Sequence, residues 1–177
     1  MKTFIQRLTT SEQSFAQLFL RITFAIVLWP HGAQLLLGWF GGPGYNNSMT
    51  MFNAFGLPSF IAFLVIAIQF FGSLLILTGL FTRVFAATSI VLFLGMIFKA
   101  HLHVGFFMNW AGTLQGEGFE YHLLVIGMLT VLTIYGSGKY SVDNFIYRAA
   151  SSSNQNIILH GSNKQSLKTL KIPENVL

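Results

Sequence analysis

Between Phe15 and Tyr135 the chain carries four apolar stretches, each near the length at which a helix can cross a lipid bilayer. A helix rises 1.5 Å per residue, so a hydrocarbon layer of ~30 Å asks for about 20 mostly apolar residues. Phe15 to Leu37 meets that length and carries Arg21 and His31. Leu57 to Leu80 is free of charge, with Gln69 at its middle. Val84 to Phe98 is shorter, but Arg83 and Lys99 at its ends can lay their stems along it and lift their charges to the interfaces. Phe119 to Tyr135 opens with Glu120 and His122. The expectation is an all-α integral membrane four-helix bundle, with a short N-terminal segment at 1–14, the four-span domain at 15–148 and a polar tail at 149–177.

Composition agrees. The chain is 53% hydrophobic and only 8% charged, whereas a soluble domain has about a quarter of its residues charged to cover its surface. A buried helix of a soluble domain would suit any one of the shorter runs, but not four in so small a chain. Lys2 and Arg7 ahead of an apolar stretch also suggest a cleaved signal peptide. That stretch is too long for one and meets Trp29, Pro30 and His31, which favours an uncleaved first span.

Lys and Arg mark the loops that stay cytoplasmic. Lys2 and Arg7 precede the first span, Arg83 lies in the TGLFTR turn between the second and third, and Lys139 and Arg148 follow the fourth. The loops at 38–56 and 100–118 contain neither residue. Both termini are therefore expected in the cytoplasm, with Arg21 and Arg83 as charge anchors on that side. Lys164, Lys168 and Lys171 in the tail would share one stripe of a helix and attract anionic lipid.

In this topology the unusual polar residues collect in the outer half: His31, Gln34, His101, His103, Asn109, Glu117, Glu120 and His122. His31 and Gln34 share a helix face, as do Gln69 and Ser73 on the second span. An unsatisfied polar group in hydrocarbon costs several kcal/mol, so these stripes should turn inward. Pro30 leaves the Ile26 carbonyl without its helical donor, which predicts a kink. The expected result is a polar pocket between the first two spans, roofed by both outer loops.

Several chemistries are excluded or disfavoured. Without cysteine there are no disulfides, thiol nucleophiles or cysteine-ligated clusters, so redox chemistry requires a cofactor that is not intrinsic or a partner. His101-x-His103 can chelate only in an extended segment, so no metal site is expected. GWFGGPG at 38–44 lacks the Lys-Ser/Thr of a phosphate loop and reads as a flexible outer turn. Scattered basic residues exclude a nucleic-acid surface. SVDNF offers Ser141 or Asp143 as a helix cap.

The strings LRITFAIVLWPHGAQLLLGWFGG, IQFFGSLLILTGLFTRVFAA, HVGFFMNW with GFEYHLLVIGM, and GSGKYSVDNFI, in that order, resemble the DoxX family of small bacterial four-helix membrane proteins. The resemblance spans about Phe15 to Ile146. It implies a multi-pass protein of the bacterial inner membrane, serving as a membrane subunit of a quinone-linked oxidoreductase complex. A quinone, a partner oxidoreductase subunit, the bilayer and a homodimer are the partners it suggests. Where the family often carries Lys after the His-Gly, this chain has Gln34 or the leucines after it; where it often carries Glu, this chain has Gln69. A Gln–Gln hydrogen bond would then replace an ion pair. The candidate ligand-binding residues are His31, Gln34, Gln69, Ser73, His101, His103, Glu117, Glu120 and His122, with no catalytic residue identified. Two other functions fit the sequence: a non-catalytic membrane protein that docks a partner on its outer loops, or a small-solute transporter, for which four helices are few.

Overall fold

The computed structural model describes residues 15–151, and the N-terminal segment and the lysine-bearing tail lie outside them. Among the described residues all regular structure is helical. Helix α1 is Ala16–Leu37, α2 is Gly44–Ala54, α3 is Ser59–Thr78, α4 is Thr82–His101 and α5 is Glu120–Tyr135, while α6 occupies 142–151. Three of them, α1, α3 and α4, are long and apolar enough to cross a membrane; α5 has 16 residues.

The helices pack because their apolar runs are continuous. The core draws Phe24 and Leu28 from α1, Ile76 from α3, Ala86 and Phe93 from α4, and Val125, Leu129 and Leu132 from α5. The outward surface is equally apolar: Phe19, Ile26, Phe63, Val91, Phe98 and Leu124 are all exposed. An apolar coat of that extent is a surface for lipid, not for water.

α1 stays helical through Pro30 and stops at Gly38, whose φ of 74° is left-handed. Next to that proline, Gly32 lets α1 touch α3 backbone to backbone, since a Cβ there would stand 2.5 Å from the Phe70 nitrogen. The loop after α1 is more ordered than a flexible turn. It folds into α2, whose buried Ser48 donates from Oγ to the Leu35 carbonyl at 2.9 Å and ties the loop to the end of α1.

The opposite end is closed by a polar latch. Arg21 is fully buried and donates to the carbonyls of Leu77, at 3.1 Å, and Tyr140. The Asp143 carboxylate accepts the Phe81 and Thr82 N–H groups at 2.8 and 3.2 Å, capping the start of α4, while its own N–H donates to the Gly79 carbonyl at 3.0 Å. Burial pushes the Asp143 carboxyl above its ordinary pKa, against the hydrogen bonds and the Arg21 charge that draw it down. A side chain at Gly79 would overlap the Arg21 guanidinium. Ser141 Oγ accepts the Asn144 N–H at 3.2 Å, so it is Ser141 that caps α6 while Asp143 caps α4. Arg83 donates to the Ile134 carbonyl at 3.1 Å and joins α4 to the end of α5.

Candidate functional site

At the His31 end, all four long helices and the loop after α4 border a half-open cavity of about 280 Å³. Val27, Leu28 and His31 of α1, Gln69 of α3, Phe93, Met96 and His101 of α4, Met108 and Glu117 of the loop, and Tyr121 and His122 of α5 line it. Five of the sequence-derived candidates, His31, Gln69, His101, Glu117 and His122, thus meet in one place. The location differs from the expected one: it lies among four helices and not between the first two, and of the two loops expected to roof it only the one at 102–119 lines it. The loop after α1 instead packs against α1, held by Ser48.

Two polar groups reach the cavity from widened helical turns. Gln69 sits in a π turn at Ile68–Gly72 and His101 in another at Ile97–His101. Each such turn inserts one residue and rotates the following side chains. His101 Nδ1 lies 2.7 Å from the Glu117 carbonyl oxygen, which can only accept, so the ring donates from Nδ1. Its ring packs 4.2 Å from that of His122.

His122 is the most confined of the histidines in the lining. It is 4% exposed, Phe93 and Tyr121 lie against its ring at 5.6 Å, and neither ring nitrogen has a hydrogen-bond partner among the described residues. The Tyr121 hydroxyl is likewise buried and has no hydrogen-bond partner among the described residues. Leaving such a group unsatisfied costs about 1–3 kcal/mol, so the site is primed for a ligand or water that bonds to it.

The roof is built by its own backbone. The carbonyls of Gly105, Phe106 and Phe107 accept the N–H groups of Phe119, Glu120 and Gly118 and so cap the open start of α5. Gly118 is required there because a Cβ would overlap the Phe106 and Phe107 carbonyls. Glu117 holds the Asn109 N–H at 2.7 Å, and Asn109 makes two bonds to the Leu114 backbone.

The remaining candidates lie elsewhere. Gln34 donates to the Phe40 carbonyl at 3.3 Å, beneath Gly42, and no hydrogen bond joins it to Gln69 among the described residues. The expected Gln–Gln link is therefore not made, because the turn at 39–42 folds back over Gln34. Buried Ser73 donates to the carbonyls of Gln69 and Phe70 within its own helix. His103 is exposed and outside the cavity lining. Glu120 accepts the Trp110 indole N–H at 3.3 Å. Among the described residues no three His, Asp or Glu side chains converge as a metal site. Sequence reading passed over Tyr121, which in a continuous apolar run looks like any other aromatic; its position beside His122 was the available signal.

Comparison with known proteins follows the same lines. The DoxX family model matches residues 16–102, covering α1 to α4. A Bacillus subtilis protein named "Putative oxidoreductase CatD" is 28% identical over 137 residues, 77% of this chain and 91% of the relative. The Escherichia coli protein named "Inner membrane protein YqjF" is 32% identical over 109 residues, 62% of this chain and 79% of the relative. No solved structure matches significantly.

Proposed function

The chain belongs to the DoxX family, and from that premise we propose that it is the membrane subunit of a quinone-linked oxidoreductase complex in a bacterial inner membrane. It spans four times, with the Arg21 end in the cytoplasm and the cavity on the outer side. The name of the Bacillus relative supports the oxidoreductase reading, and that of the Escherichia relative supports the location.

The single observation that carries the proposal is buried His122, whose ring nitrogens have no hydrogen-bond partner among the described residues, in the wall of a cavity whose surface is mostly apolar. A quinone carbonyl needs a hydrogen-bond donor and an apolar slot for its ring; His122, Tyr121 and Gln69 offer the polar groups, and Leu28, Phe93 and Met96 the slot. A volume of about 280 Å³ lies near the lower edge of ligand pockets and suits a headgroup whose tail remains in lipid. His101 and Glu117 at the roof, and His31 at the rim, would pass protons to the outer water. Electrons come from the partner subunit, for which the loop at 105–118 offers Phe107 and Trp110, 70% and 86% exposed.

Purification in mild detergent tests this. The wild type should retain extractable quinone, and His122→Leu should lose it along with binding of an added short-chain quinone. Quinone-free wild type that binds the short-chain analogue no better than His122→Leu would refute the proposal.

A further inference from the structure

Helix α6 is built inside out for a helix in water. Its polar residues Asp143 and Asn144 are buried, at 2% and 8% exposure, while Val142, Phe145, Ile146 and Ala149 point outward. Those four occupy positions i, i+3, i+4 and i+7, a single apolar stripe. The latch fixes this rotation: Asp143 is held by Gly79, Phe81 and Thr82, and the Asn144 amide donates to the Lys139 carbonyl at 2.7 Å. The apolar face cannot turn inward without breaking those bonds.

We propose that α6 lies in the headgroup layer at the Arg21 end, its stripe sunk among acyl chains, and that Lys139 and Arg148 bind anionic phospholipid there. The chemistry of the patch selects lipid over a protein partner. Lys139 and Arg148 are both exposed, and the one acid between them in sequence, Asp143, is buried, so the accessible charge is purely cationic. The stripe also continues an existing aromatic belt. Phe15 at the foot of α1 and Tyr140 ahead of α6 are exposed and pack ring to ring at 5.2 Å, and the Lys139 ammonium lies 5.5 Å from the Tyr140 ring. Aromatic and cationic residues at that depth are the usual interfacial anchors, and such helices combine a buried apolar face with attraction to anionic headgroups. The inference needs only that the protein is in a membrane and is independent of any ligand in the outer cavity.

The chain has no cysteine, so one introduced thiol labels a single position. Phe145→Cys is suitable because that side chain is 74% exposed. With a nitroxide on it, the full-length protein is reconstituted in phosphatidylcholine vesicles and in vesicles of equal phosphatidylcholine and phosphatidylglycerol. Collisions with oxygen should exceed those with a water-soluble nickel chelate several-fold relative to a label at Arg148→Cys, and the label should move deeper in the anionic vesicles. Adding Lys139→Gln and Arg148→Gln to the Phe145→Cys protein should abolish that lipid dependence. A label equally open to nickel in both vesicles overturns the proposal, as does one shielded from oxygen and nickel alike, which would mean a protein covers the stripe. A depth unchanged by anionic lipid overturns the headgroup assignment.

Discussion

At Gly32 a Cβ would stand 2.5 Å from the Phe70 backbone nitrogen and 2.6 Å from the Gln69 carbonyl carbon. Both obstacles are backbone, so neither can swing aside, and α1 and α3 would have to separate. Separation carries Gln69 away from the cavity. Gly32→Ala should therefore lower stability by about 1–3 kcal/mol, as overpacking does in a close-packed interior, and weaken with it the quinone retention proposed above. Gly127 on α5 is the control, because nothing lies within 4 Å of a Cβ built there. Gly127→Ala should change stability by no more than ~0.5 kcal/mol. Thermal unfolding of both variants in the same detergent makes the comparison, and equal midpoints would remove the close-contact argument. The His-Gly pair was visible in the sequence as a motif, but its reason was not. Periodicity locates a small residue on a face; it does not tell how near the opposing backbone comes. Gln34 makes the complementary point, since its spacing from His31 aimed it at the site, and a turn five to eight residues downstream took its amide instead.

The roof at 105–118 is an element without regular structure, held by a few side chains and by its capping of α5. Asn109 is its hub, bonded to Leu114 through both amide atoms and to Glu117 through its backbone nitrogen. Asn109→Ala removes the side-chain pair only, so Glu117 and the His101 contact behind it should loosen while the long helices stay as they are. Hydrogen exchange read by mass spectrometry should rise over 105–118 and remain unchanged in α1, α3 and α4. A uniform rise across the chain, or none in the loop, would show that Asn109 does not organise the roof. At this scale the sequence was informative about the long helices, because uninterrupted apolar runs have no other way to satisfy their backbone in lipid. It was silent on the π turns at Gln69 and His101: a helix apolar on all sides gives no face whose slippage could reveal an inserted residue. It also concealed α2, since glycines and asparagines at 41–47 read as loop until Ser48 is seen to fasten them to α1.

For the molecule as a whole, the question that settles orientation is whether α5 crosses. Its 16 residues rise roughly 24 Å, short of the ~30 Å hydrocarbon layer, and Glu120 at one end and the latch at the other leave no apolar residues to extend it. Bilayers thin locally around short spans at modest cost, whereas reversing the Lys and Arg asymmetry of the loops is a larger penalty. The latch argues the same way. Arg21 at the foot of α1 bonds to Tyr140, beyond the end of α5, and Arg83 at the start of α4 bonds to Ile134, so α5 must finish at the level where α1 starts. That geometry requires α5 to run from the cavity end to the Arg21 end. Two single-cysteine proteins test it in intact cells with a membrane-impermeant maleimide. Asn47→Cys, on α2, should label at once; Lys139→Cys should label only after the membrane is opened. Labelling of both from outside would place the ends of α5 on one side of the bilayer, and the outward cavity and the cytoplasmic latch would fall together.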